Sequence, residues 1–281
     1  MSVLIGCNFT KEGATQLCAD ICTLLRINGF PTFVTEEYAE YAKKIGAKVV
    51  STPGICSSIV TVGGDGTILK WGKLAAEYDL PLLGVNMGRL GFMAAVEPKD
   101  IKRIPEILLS DFITSNRMMM DCKLYRSGEK IYTATCINDI IVSRSSVSKL
   151  PEYSVYCGDT LVSKQRADGE IFSTPTGSTA YSLSAGGPIL SPDMECIEFT
   201  SLCPHSLFNR PMIFSADQII SVHVTHYQDS KASFSVDGGH GIPLLDGDIL
   251  KMTRAKKKLK IIELESGFFG AVLGKLMQPL K

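Results

Sequence analysis

The stretch Ile59-Val60-Thr61-Val62-Gly63-Gly64-Asp65-Gly66-Thr67 runs a β-branched strand into a glycine-rich loop, and a helical pattern over residues 67–78 follows at once. Strand, glycine loop and helix open a βαβ unit and predict a mainly parallel sheet. Such a loop sets backbone N–H groups and the positive end of a helix at the carboxyl edge of the sheet, where anionic ligands bind. Glycine is expected there for two reasons. A Cβ would hold the backbone away from phosphate oxygens, and the turn is expected to need φ values that other residues resist. Asp65 is out of place, because a carboxylate on a phosphate loop repels its ligand unless it holds a metal or meets the attacking hydroxyl. A second reading makes it the cap of the helix that follows. Leu69 stands where a Rossmann fingerprint needs its third glycine, and no Gly-x4-Gly-Lys-Ser/Thr occurs, so both commoner phosphate motifs are excluded.

Upstream, Val3-Leu4-Ile5 reads as a strand. Leu17, Ile21, Leu24 and Leu25 recur at helical spacing, with Asn28-Gly29 as the stop. A weaker strand is expected near Phe33 and a strong one over 81–85. The latter ends in Asn86-Met87-Gly88-Arg89-Leu90-Gly91-Phe92, a second glycine loop at a carboxyl edge that lies beside the first if the two strands are neighbours. Arg89 then either pairs with phosphate oxygens or stays in solvent.

From about Arg117 the pattern changes to short alternating segments, including 123–125, 131–137, 140–142 and 219–224, which predicts an antiparallel β region. Asn138-Asp139 interrupts an apolar strand there, either as a bulge or as a hydrogen-bonding pair for a nucleoside edge. Arg166-Ala167-Asp168-Gly169 leads towards Ser173-Thr174-Pro175-Thr176-Gly177-Ser178-Thr179-Ala180-Tyr181-Ser182-Leu183-Ser184-Ala185-Gly186-Gly187-Pro188. That run of hydroxyls before a short helix predicts a second helix N-terminus rich in N–H and O–H donors. His223 and His226 would face opposite sides of a strand, so they make no metal pair.

The 281 residues predict two domains: an α/β domain over 1–112, and a β-rich domain over 113–265, with 266–281 docking back on the first. Lys and Arg number 29, as do Asp and Glu, which excludes a broad nucleic-acid footprint and makes any phosphate binding local. No apolar run reaches the roughly 18 residues needed to cross a bilayer, and the N-terminus has no signal-peptide pattern, so a cytoplasmic location is expected. The nine scattered cysteines read as reduced, mostly buried thiols.

Taken together, Val62-Gly63-Gly64-Asp65-Gly66-Thr67, Asn86-x-Gly88-x-Leu90-Gly91-Phe92, Asn138-Asp139, Asp168-Gly169 and Thr174 through Tyr181 resemble the NAD kinase family in order and spacing, over nearly the whole chain. The Gly-Gly-Asp-Gly loop is shared with lipid kinases and 6-phosphofructokinases. The Thr-Pro-Thr-Gly-Ser-Thr-Ala-Tyr segment followed by Gly186-Gly187-Pro188 is far more specific. The resemblance implies an N-terminal, Rossmann-like α/β domain, a C-terminal all-β domain and ATP as phosphoryl donor with a divalent metal, Mg²⁺ by expectation. It also implies NAD as acceptor and a homo-oligomer, dimer or tetramer.

By the same carry-over Asp65 is the catalytic carboxylate. Asp65, Gly66, Asn138, Asp139, Arg166, Asp168, Thr179, Ala180, Tyr181 and Ser184 would touch the dinucleotide, while Gly63, Gly64, Thr67, Gly88 and Arg89 form the phosphate loops. Two positions depart from the pattern: Asp139 stands where many members have glutamate, and Gly239 where glutamine is common. Metal ligands are not identifiable from the sequence. A carboxylate is a weak base towards a ribose hydroxyl, so Asp65 is expected to orient the hydroxyl and take its proton late. The competing readings are a lipid kinase, which needs a membrane-docking surface not apparent here, and a non-enzymatic dinucleotide sensor, which has no use for Asp65.

Overall fold

The computed structural model of the chain describes residues 1–87, 91–145, 149–206, 209–226, 230–264 and 267–276. Two compact units emerge: Met1–Asn116 together with Lys257–Lys281, and Arg117–Lys256.

The first unit is α/β. Its elements are β1 (Val3–Cys7), α1 (Ala14–Ile27), β2 (Thr32–Thr35), α2 (Ala39–Ile45), β3 (Lys48–Val50), β4 (Ser58–Gly63), α3 (Asp65–Glu77), β5 (Leu82–Asn86) and α4 (Ile104–Leu109). Strands β3, β2, β1, β4 and β5 lie side by side in that order, all parallel. Chain order thus runs outward from β1 in one direction and from β4 in the other, which puts the topological switch point between those two strands. Both are buried along their whole length, as their unbroken apolar runs require of a sheet covered on two faces. Helix α1 buries Cys18, Ile21, Cys22 and Leu25, and each large apolar side chain contributes roughly 1.5–3 kcal/mol. It ends at Asn28 with Gly29 at φ 81°, the left-handed conformation that glycine takes freely. Helix α3 lays Trp71 across Gly6 of β1, where even one methyl group would not fit.

The second unit is built from β6 (Thr114–Arg126), β7 (Glu129–Cys136), β8 (Asp139–Arg144), β9 (Glu152–Cys157), β10 (Thr160–Arg166), β11 (Gly169–Ser173), α5 (Tyr181–Ser184), β12 (Cys196–Leu202), β13 (Met212–Ser215), β14 (Ile220–Thr225), β15 (Ala232–Val236), β16 (Ile242–Leu244) and β17 (Ile249–Ile262). One antiparallel sheet has the order β13-β12-β11-β8-β15-β16. Antiparallel pairs also join β10 to β9, β9 to β14, β14 to β17, and β6 to β7. The core between the faces holds Tyr153, Phe172, Phe199 and Phe234, all fully buried. The helical stretch expected within 173–192 is reduced to a 3-10 turn, Gly177–Thr179, and the single turn of α5, because glycines and prolines crowd both sides.

The chain returns to the first unit inside β17, whose Ile261 pairs with Leu82 of β5, before the 266–281 segment expected to do so. Helix α6 (Gly267–Leu276) follows, and the Phe268 ring lies 6.4 Å from that of Phe92. Among the described residues no helix is long and apolar enough to cross a membrane. The cysteines are free thiols, and only Cys157 and Cys203 are not buried.

A Cβ added at Gly6 would stand 2.5–2.8 Å from three atoms of the Trp71 ring. Gly6→Ala is therefore expected to cost roughly 1–3 kcal/mol, read as a lower thermal midpoint.

Candidate active site

In the first unit, β4 and β5 are neighbours in parallel register, with Gly63 opposite Asn86, so the two glycine loops leave the same edge side by side. Met87 N–H donates to the Gly63 carbonyl at 2.8 Å and ties one loop to the other. Gly63, Gly64 and Gly66 are not among the glycines with positive φ, so the expected conformational need for glycine is not the reason for this loop. Space is the reason. A Cβ on Gly63 would collide with the Thr67 side chain, whereas Gly64 and Gly66 face nothing within 4 Å and leave the backbone bare for a ligand. Gly88 and Arg89 lie outside the described residues.

Asp65 is the first residue of α3, and its side chain makes no capping bond to that helix. Its carboxylate turns to the second loop instead, accepting from Phe92 N–H at 2.9 Å and Met93 N–H at 3.3 Å. Gly91 makes this possible, since a Cβ there would overlap the Asp65 carboxylate. The acidic group thus sits at the positive end of the α3 dipole, half-buried and held by two amides. A carboxylate has about four lone-pair sites, so two remain for a further donor.

In the second unit three segments converge at one end of β8 and β11, where Asp139 stands opposite Ser173. The Asn138 carbonyl accepts from Thr174 N–H at 2.8 Å, and the Ile137 carbonyl accepts from the Thr174 hydroxyl at 2.5 Å. Gly177 passes so close to the Asn138 carbonyl that no side chain would fit. The third segment is Asp237, whose carboxylate accepts from Ile137, Asn138 and Asp139 N–H at 2.8–3.3 Å from a backbone at φ 50°. Asp237 was not expected from the sequence, though Asp237-Gly238 is a turn signal. The Asp139 carboxyl is buried 4% exposed beside Asp237, and burial together with that negative neighbour pushes its pKa up to about 7. Asn138 Oδ1 is buried without a hydrogen-bond partner. Gly239 lies in the tight turn closing this segment, its N–H on the Val236 carbonyl.

Arg166 and Asp168 stand at the other end of β11, where Asp168 pairs with Arg144 at 3.0 Å and the Arg166 carbonyl accepts from His205 N–H. Helix α5 packs over β11. The hydroxyls expected to serve a ligand are largely used inside the protein, because buried polar groups must be paired. Ser173, Thr174, Ser178 and Thr179 bond backbone carbonyls, and Ser182 donates to buried Glu198 at 2.5 Å. Tyr181 and Ser184 remain exposed, with Thr179 and Ala180 half-buried. Glu198 and Glu170 are both fully buried, and burial raises each carboxyl above its ordinary range, Glu170 to about 7. Both were missed in the sequence because each occupies a strand that is otherwise apolar or small.

The raised Asp139 has a defined consequence for pH. Between about pH 4 and about 7 the unfolded chain releases this proton while the folded chain keeps it, so stability falls as pH rises through that window. Asp139→Asn removes the effect. Its stability relative to the parent should rise by on the order of 1 kcal/mol or more between about pH 4.5 and about pH 8 in urea titrations, and a constant difference would refute the assignment.

Two family profiles match the chain: the ATP-NAD kinase N-terminal domain over residues 3–112 and the ATP-NAD kinase C-terminal domain over residues 137–264. The chain is 38% identical over 225 residues to the NAD kinase of Desulforamulus reducens, covering 79% of this chain and 78% of that one. It is 33% identical over 270 residues to the NAD kinase of Natranaerobius thermophilus, covering 95% and 94%. Among solved structures, yeast NADH kinase complexed with NADH matches with a TM-score of 0.84 at 24% identity, over 100% of this chain and 89% of that one. An NAD kinase from Archaeoglobus fulgidus in complex with ATP matches at 0.76 and 21%, over 99% of each chain. These two likenesses establish the fold: an α/β unit with a parallel sheet, and an antiparallel β unit. With both domain profiles and relatives above 30% identity along most of its length, the chain belongs to the ATP-NAD kinase family and is a kinase.

Proposed function

We propose that the chain moves the γ-phosphoryl group of ATP to the 2′-hydroxyl of the adenosine ribose of NAD, giving NADP, with Asp65 aiming that hydroxyl. The observation that carries this reading is the Asp65 carboxylate, fixed by Phe92 and Met93 N–H beside the bare Gly64 and Gly66 at a sheet edge. Phosphoryl transfer depends on in-line positioning and on charge neutralisation more than on covalent chemistry. The free amides at the start of α3 offer donors to phosphate oxygens, and the open lone pairs of Asp65 offer an acceptor to the hydroxyl. Asp65 takes the proton late, as the oxygen–phosphorus bond forms.

For the dinucleotide, Asn138 with its unpaired Oδ1, Asp139, Arg166, Asp168, Thr179, Ala180, Tyr181 and Ser184 are the proposed contacts, with the exposed Tyr181 ring available to stack on a base. Among the described residues no group of three or more His, Cys, Asp or Glu could hold a metal ion. Mg²⁺ is commonly held by one or two carboxylates plus substrate phosphates, so it would arrive on ATP and neutralise phosphate charge there. A cytoplasmic location and a dimeric or tetrameric assembly belong to the same proposal, the assembly being checked by light scattering.

A lipid-free assay with ATP and NAD, coupled to a dehydrogenase that accepts only NADP, tests the reaction. Asp65→Asn keeps the shape and removes the charge. Turnover is expected to fall roughly 10²–10⁴-fold while the dissociation constant for NAD changes far less. Near-normal turnover would end the assignment of Asp65.

A further inference from the structure

Strand β12 alternates between two faces. Ile197 and Phe199 point into the core of the second unit, while Glu198 and Thr200 point the other way, towards α5. Glu198 stands directly opposite Ser173, the last residue of β11, and is fully buried. Its Oε1 accepts from the Ser182 hydroxyl at 2.5 Å and from the Thr200 hydroxyl at 3.0 Å, and those two hydroxyls lie 3.2 Å apart. Gly187 closes the site: a Cβ there would stand 2.0 Å from Glu198 Oε1 and 2.3 Å from Ser182 Oγ. The Gly187 N–H also donates to the Ser182 carbonyl at 2.9 Å. Ser182 is thus gripped through both its hydroxyl and its carbonyl, whereas Tyr181 and Ser184 of the same turn are exposed.

Burying a carboxyl group is unfavourable, and an apolar side chain of similar size would fill the same space without that penalty. Burial holds the Glu198 carboxyl above its ordinary range, and it can accept from a hydroxyl in either protonation state. An apolar residue could not hold Ser182. Successive residues of a helix turn by about 100°, so seating Ser182 against the sheet turns Tyr181 and Ser184, three apart on one face, away from it. A single turn has too few internal hydrogen bonds to keep this orientation unaided. We propose that Glu198 is a positioning residue for the dinucleotide: by holding Ser182 it sets the rotation of α5 and so aims Tyr181 and Ser184 outward at the ligand. The proposal rests on the reading that Tyr181 and Ser184 contact NAD, and adds to it the group that aims them.

Calorimetric titration of the intact protein with NAD, in the absence of ATP, reads the effect directly. Glu198→Leu should weaken NAD binding about five- to tenfold, as expected for one lost hydrogen bond, with the KM for ATP roughly unchanged. Its thermal midpoint should stay equal or rise, because the buried carboxyl group is gone. Glu198→Gln, whose amide oxygen still accepts from Ser182, should bind NAD within about twofold of the parent. Tyr181→Ala should weaken NAD binding as well. Parent-like NAD binding by Glu198→Leu, a loss in Glu198→Gln as large as in Glu198→Leu, or a thermal midpoint that falls together with NAD affinity would overturn the proposal while Tyr181→Ala still reported the dinucleotide contact. Parent-like NAD binding by Tyr181→Ala would instead overturn the dinucleotide reading of α5, and the proposal with it.

Discussion

The two hydrogen bonds from Phe92 and Met93 N–H to the Asp65 carboxylate are the constraint on which the first unit's sheet edge depends. They hold a negative charge beside a helix N-terminus meant for anions, which is tolerable because the charge is shared with backbone dipoles from a neighbouring loop. They also require Gly91 to be bare and β4 and β5 to be adjacent, since neither amide could otherwise reach. The strand pairing, the glycine at 91 and the acid at 65 are one device, and changing any of them alters the others.

The second unit handles buried charge differently. Asp139, Glu170 and Glu198 are all at most 4% exposed, and among the described residues no ion pair joins any of them to a cation in the way Asp168 is joined to Arg144. Glu170 accepts from Gln165 and Glu198 from Ser182 and Thr200, while the second oxygen of each glutamate has no partner among the described residues, and burial raises the proton affinity of all three carboxyls, which costs stability at neutral pH. Glu198 holds Ser182 of α5 from beneath, so a helix of one turn, too short to stand alone, is anchored to a strand of the sheet.

Much of this was legible in the sequence. The parallel α/β half could be read because its strands are long β-branched runs followed by glycine and helical spacing, patterns that depend only on local geometry. The antiparallel half was legible as a class from its alternation, and Asp65 stood out because its charge contradicts its loop. The rest depends on which strands become neighbours. Asp237 reaches β8 from about a hundred residues away, and the rings grouped around Trp71 of α3 come from the loop after β1, the turn after β2 and α2. In the hydroxyl-rich segment, composition marked the donors but not their partners: Ser173, Thr174, Ser178 and Thr179 bond backbone carbonyls and Ser182 bonds buried Glu198, pairings that only the folded chain creates.

The placement of β17 bears on how the molecule is made. Residues 117–256 are an insertion within the first unit, whose closing strand and last helix come after it in the chain. During synthesis Val96 bridges Val85 and covers one end of the β5 edge early, but the other end, at Leu82, waits for Ile261 beyond Lys256, while everything needed for the inserted unit is already available. An open strand edge is a template for wrong pairing, so the late arrival of one β-strand leaves the unit begun earlier the later of the two to be fully protected.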